Sequence, residues 1–171
     1  MFGSKSATKG KDATQAVQDA QPLIDRLQRE VANGFILYAN YKHYHWQTYG
    51  PLFRDIHLMY DEFAEEVLAT IDPIAERIRM MGHDVRAFQP SRMQTEASVQ
   101  SAGDHQSLKE MVEEADANCL VVIRELRDAA RMAEGINDPG TVDLLSKTVQ
   151  VFEKQEWFLR EHLKHRDGLT S

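Results

Sequence analysis

The stretch KHYHWQTYGPLFRDIHLMYDEFAEEVLATIDPIAERIRMMG, residues Lys42 to Gly82, decides how this chain is read. Gly50-Pro51 interrupts it, because proline inside a helix loses a hydrogen bond and clashes with the preceding turn, yet is tolerated where a new helix begins. One helix therefore ends near Tyr49 and a second starts near Pro51. At about 100° of rotation per residue, counted from His57, Asp61 falls at about 40°, Asp72 at about 60° and Glu76 at about 100° on the second helix. Glu65 shares the stripe at about 80° and reads as a surface or supporting group. A neighbouring stripe, between about −120° and −40°, carries Phe53, Ile56, Tyr60, Phe63, Val67, Ile71, Ile74 and Ile78 and is expected to face the chain's own core. His45 stands just before the break and His57, Asp61, Asp72 and Glu76 after it, imidazole and oxygen ligands of the kind that suit Fe²⁺, Mn²⁺ or Zn²⁺.

The ligand stripe and the core stripe are adjacent but distinct. Bundles that hold two metals in their own core do so with Glu-x-x-His pairs, and no such pair occurs in this sequence. The stripe therefore faces a flank. One short stripe and His45 make a thin site, so a site completed by a second chain, at a subunit interface, is expected.

Outward from this stretch the periodicity is helical. Leu23, Leu27, Val31, Phe35, Leu37, Tyr38 and Tyr41 define a first helix from about Asp19 to Tyr49, with Pro22 at its entrance and Gly34 permitting close packing. The second runs from about Leu52 to Met81 with Gly82 as its stop, and Pro73 is expected to bend it beside Asp72. Periodicity lapses between His83 and Gln106, apart from a short helix expected over Ser91 to Val99; so long a connection suits a crossover along a bundle. A third helix is predicted from about Ser107 to Glu134, ended by Gly135, and a fourth from about Thr141 to Lys164 after a turn at Asp138-Pro139-Gly140. The fold class is all-α: a ferritin-like four-helix bundle over residues 18–168, with a short helix in the long crossover between helices 2 and 3, preceded by a flexible tail over residues 1–17.

Composition narrows the function. The 171 residues, 42% hydrophobic and 27% charged, suffice for one domain with a sizeable core. A single cysteine, Cys119, rules out a disulfide framework within the chain and fits a reducing compartment. No membrane span or signal peptide is apparent, so the expected location is cytoplasmic, with association to the nucleoid if DNA is bound. A net charge of −7 argues against nucleic-acid binding by the whole surface. The first eleven residues differ: Lys5, Lys9 and Lys11 precede any acid, which reads either as a solubilising terminus or as a salt-sensitive DNA-contacting arm.

Five features together carry a family resemblance: K-x-x-H-W at Lys42 to Trp46, G-P-x-F at Gly50 to Phe53, His57 twelve residues after His45, D-x-x-A-E-R-I at Asp72 to Ile78, and W-F-L-R at Trp157 to Arg160. In these the chain resembles the Dps family of mini-ferritins, over roughly Arg26 to Leu163. The resemblance implies a homo-oligomer, a dodecamer of four-helix subunits around a cavity. It implies a ferroxidase that oxidises Fe²⁺ with hydrogen peroxide or oxygen, deposits ferric mineral and so protects against oxidative stress. The family's ligands fall on His45, His57 and Asp61 of one subunit and on Asp72 and Glu76 of its two-fold mate. Trp46 packs beside them or donates electrons, as a tryptophan near the iron does in this family.

Other positions stay open at this stage. His162 and His165 either cap the last helix or add ligands, which would make zinc more attractive at the same site. Acids lining the family's three-fold pores point to Asp138 and Asp143, which equally suit a helix N-terminus. Besides iron oxidation, a DNA-compacting protein with a secondary metal site and a purely structural bundle are the competing readings.

Overall fold

The structure is a computed structural model and describes residues 13–164, so Lys5, Lys9, Lys11 and His165 lie outside the described residues. Five helices follow in order: α1 (Ala13–Gln47), α2 (Phe53–Met80), α3 (Pro90–Glu96), α4 (Leu108–Gly135) and α5 (Pro139–His162). The fold is all-α, a four-helix bundle in which α3 is the short crossover helix. α1 packs chiefly on α2 and α4 on α5, while contacts of α1 with α4 and α2 with α5 close the bundle. No helix among the described residues is long and apolar enough to cross a membrane.

Local chemistry explains the boundaries. Gly50 adopts φ 88°, a left-handed conformation that glycine takes without a Cβ penalty, and its carbonyl accepts from the N–H of Phe53 at 3.0 Å. That turn starts α2. At the other end Gly82 has φ 85°, and the N–H groups of Gly82 and His83 reach back to the carbonyls of Arg79 and Ile78, a Schellman stop. Ser107 and Glu110 satisfy each other's backbone N–H in a capping box that opens α4.

Several sequence-based boundaries are corrected. α1 is described from Ala13, so Pro22 lies inside it and not at its entrance. α4 ends at Gly135, but Asn137, with its φ of 59° and with bonds from Asn137 N–H to Glu134 and Asp138 N–H to Ala133, is the left-handed residue of the stop. Asparagine tolerates that conformation better than most residues. Asp138-Pro139-Gly140 is not a separate turn: Asp138 caps α5 by accepting from the N–H of Thr141 at 3.1 Å, and Pro139 opens the helix. α2 remains helical through Pro73.

The core gathers aliphatic side chains from the four long helices around Tyr41, Tyr44 and Tyr60, each fully buried. Gly34 lets α1 approach α2 closely, since a Cβ there would lie 2.7 Å from Cγ1 of Ile71, a β-branched side chain with little freedom to move. The crossover has little regular structure, yet several of its backbone polar groups are paired with side chains of the bundle. Gln28, wholly buried, donates to the Asp84 carbonyl at 2.6 Å and accepts from the N–H groups of Arg86 and Ala87 at 3.0 and 3.1 Å. Asn33 accepts from Ser98 N–H, Asn40 bridges Gln100 and Ala102, and Asn118 brackets Gln100 from α4. Buried backbone polar groups must be matched somewhere, and here side-chain amides match them.

Candidate metal centre

The α1–α2 corner brings His45 and His57 face to face. Their rings stack at 3.7 Å between centroids, 20° apart in plane. His45 Nδ1–H donates to the His57 carbonyl at 2.7 Å, and His57 Nδ1–H donates to the His45 carbonyl at 2.8 Å. A carbonyl only accepts, so both Nδ1 atoms carry hydrogen, and the ring nitrogen not used by these bonds is Nε2. This is how metal-binding histidines are commonly held, with one nitrogen engaged by the protein and the other free to ligate.

Asp61, one turn along α2 from His57, is held by Lys42 at 2.5 Å, and its Oδ1 lies 4.0 Å from His45 Nδ1. The hydrogen bond from Lys42, with the lysine charge behind it, keeps the Asp61 carboxyl below its ordinary range. The Lys42 ammonium also sits 5.9 Å over the ring of Trp46, which is 68% exposed. Sequence reasoning gave Lys42 no task, although its place three residues before His45 puts it on the neighbouring turn of α1.

Phe53 departs from expectation. Its place on the hydrophobic stripe predicted burial, but it is 46% exposed and its ring stacks on His57 at 4.9 Å and 26°. The spacing of four between Phe53 and His57 was the available signal. The other seven stripe residues, Ile56 to Ile78, are buried as read.

Asp72 and Glu76 are exposed on the same helix but do not join the histidines. Fifteen residues at 1.5 Å each separate His57 from Asp72 by about 22 Å along the axis. They line a groove of about 550 Å³ with Val31, Phe35, Leu68 and Phe88. Among the described residues of one chain, no three His, Cys, Asp or Glu side chains come together to hold a metal ion. His162 stands elsewhere, lining a smaller cavity with Asp55, Leu58 and Glu62, its Nδ1–H donating to the Phe158 carbonyl at 2.7 Å. Asp138 pairs with Arg77 at 2.5 Å besides capping α5, and Asp143 pairs with Lys147 at 2.6 Å.

Residues 24–168 match the family described as a ferritin-like domain. The DNA protection during starvation protein of Brevibacillus brevis is 31% identical over 138 residues, covering 81% of this chain and 92% of that protein. The X-ray structure of Dps from Thermosynechococcus elongatus superposes with a TM-score of 0.87 at 41% identity, covering 92% of this chain and 99% of the other. The chain belongs to the Dps family. An archaeal Dps homologue from Halobacterium salinarum, 26% identical with a TM-score of 0.83, covers 90% of this chain and 86% of its own. The Dps architecture thus extends over both halves of the candidate centre, the histidine corner and the carboxylate groove.

Proposed function

We propose that this Dps-family chain is a ferroxidase and iron-storage protein whose substrate, Fe²⁺, binds between His45, His57 and Asp61 of one subunit and Asp72 and Glu76 of its two-fold mate. The observation that carries the reading is the reciprocal clasp of His45 and His57, in which a backbone carbonyl engages each Nδ1 and Nε2 remains for a metal. Neutral imidazoles hold Fe²⁺ without adding charge, and carboxylates stabilise the harder ferric product. Neither half suffices alone, and each has ligands on α2, so an antiparallel mate crossing near its middle supplies each half with the other. Leu68, 46% exposed beside the carboxylate groove, is then covered by that contact.

The redox balance needs two irons for each peroxide. Two Fe²⁺ give one electron each, two protons enter, and one hydrogen peroxide becomes two waters, leaving two Fe³⁺ that hydrolyse and deposit as mineral. Oxygen serves as the alternative oxidant. Holding the irons as a pair keeps a lone Fe²⁺ from splitting peroxide into hydroxyl radical, and Trp46 beside His45 is placed to quench a stray one-electron oxidant. Zinc suits the same donors and would compete with iron. The closed assembly is a dodecamer.

Anaerobic Fe²⁺ titration, followed by hydrogen peroxide or air and read by ultraviolet absorbance, tests this. The wild type is expected to oxidise iron more than about tenfold faster than a His45→Ala/His57→Ala variant. Equal, slow oxidation in both would sink the proposal. A second reading, DNA compaction through Lys5, Lys9 and Lys11, is favoured by the DNA protection named in a relative. It requires a salt-sensitive gel shift that disappears when residues 1–11 are removed.

A further inference from the structure

The site reading above leaves the half-exposed aromatic ring at the start of α2 without a task. We infer that Phe53 is a positioning residue for the metal centre: its ring closes the outer face of His57 and holds the His45–His57 pair in the one arrangement that presents both Nε2 atoms. The inference rests on the proposed ferroxidase site and adds to it a residue that ligates nothing.

Three rings form a continuous stack. His57 lies between His45, at 3.7 Å and 20°, and Phe53, at 4.9 Å and 26°. The two hydrogen bonds to the facing carbonyls fix the edges of the imidazoles, at 2.7 and 2.8 Å. They do not fix the faces. An imidazole held by one edge can rotate out of its bond and exchange Nδ1 for Nε2, because the ring's terminal torsion is soft and both tautomers are accessible in water. For His45 the ring of His57 blocks that rotation. For His57 the ring on the opposite face is Phe53.

The backbone is built to deliver this contact. Gly50 in its left-handed conformation and Pro51 bring the chain round so that the Phe53 N–H bonds to the Gly50 carbonyl at 3.0 Å and Phe53 becomes the first residue of α2. Four residues on, one helical turn later, stands His57. A hydrophobic residue serving only the core would turn inward like Ile56 and Tyr60, 2% and 0% exposed; Phe53 keeps 46% of its surface open and spends its flat face on the imidazole.

Co²⁺ titration of the full-length oligomer, without iron or oxidant, tests this through the visible d–d band and the apparent affinity. Wild type, Phe53→Ala, Phe53→Leu, Phe53→Tyr and a His57→Ala control are compared at matched assembly size. Phe53→Ala and Phe53→Leu are expected to bind Co²⁺ about tenfold more weakly, with a changed band, as when a group supporting a metal-bound histidine is removed. Phe53→Tyr, which keeps the flat ring, is expected to restore both readouts. Leucine retains apolar bulk, so wild-type binding by Phe53→Leu would overturn the inference while leaving the site standing. Equal binding by wild type and His57→Ala would instead remove the site itself, and this inference with it.

Discussion

Glu30 shows how one carboxyl ties stability to pH. It is 4% exposed; its Oε1 has no hydrogen-bond partner among the described residues, and its Oε2 accepts from Asn33 at 3.3 Å. Glu125 faces it from α4, paired with Arg26 at 3.1 Å, and accepts from Ser98 of the crossover at 2.6 Å. Burial pushes the Glu30 carboxyl up to about 8, the charge of Glu125 adds to this, and the bond from Asn33 opposes it. The native state therefore keeps a proton that the unfolded chain releases near its ordinary value of 4.5. Stability contributed by the neutral form is complete below that value and is lost as pH rises towards about 8, at up to about 1.4 kcal/mol per pH unit. Glu30→Gln is neutral at every pH, so its urea midpoint is expected to fall less than the wild type's between pH 5 and pH 8; parallel curves would refute this. The residue was legible as a polar group three positions after Leu27 on the inward stripe of α1, but nothing local named Glu125 as its neighbour.

At the level of elements, the helices were readable and the crossover was not, for a physical reason. Helix periodicity, the Gly50-Pro51 break and the Gly82 stop are local signals. The path of residues 83–106 is set by side chains 56 to 66 positions away, Gln28, Asn33 and Asn40 of α1, which bind its backbone. Amides on an otherwise apolar face were the only hint. α4 does end at Gly135, but the left-handed residue of its stop falls two positions later, on Asn137. Gln28→Ala removes the partner of the part-buried Asp84 carbonyl and Arg86 N–H and of the buried Ala87 N–H. It is expected to cost about 1–3 kcal/mol and to speed amide exchange at Arg86 and Ala87 far more than in mid-α4. Unchanged exchange at those two amides would show that the crossover holds its path without this clasp.

For the whole molecule the decisive fact is that α2, 28 residues of continuous helix, is long enough to keep its two groups of candidate ligands apart. His57 and Asp61 near one end and Asp72 and Glu76 near the other share one stripe, yet no side chain bridges the about 22 Å between His57 and Asp72. On the proposed reading, pairing two copies about a two-fold axis makes two identical centres, each with histidines from one subunit and carboxylates from the other. The consequence is genetic as well as structural. On that reading, a His45→Ala/His57→Ala chain and an Asp72→Asn/Glu76→Gln chain are each expected to be inactive as homo-oligomers. Co-expressed at equal levels and assembled at random, about half of the two-fold pairs are mixed, and each mixed pair holds one intact centre and one doubly broken one. Iron oxidation is therefore expected to return to about one quarter of the wild-type rate. Centres contained within single chains would gain nothing from mixing, because every chain carries a broken set. The quarter-level recovery therefore separates a shared centre from a self-contained one even where both single variants are equally dead.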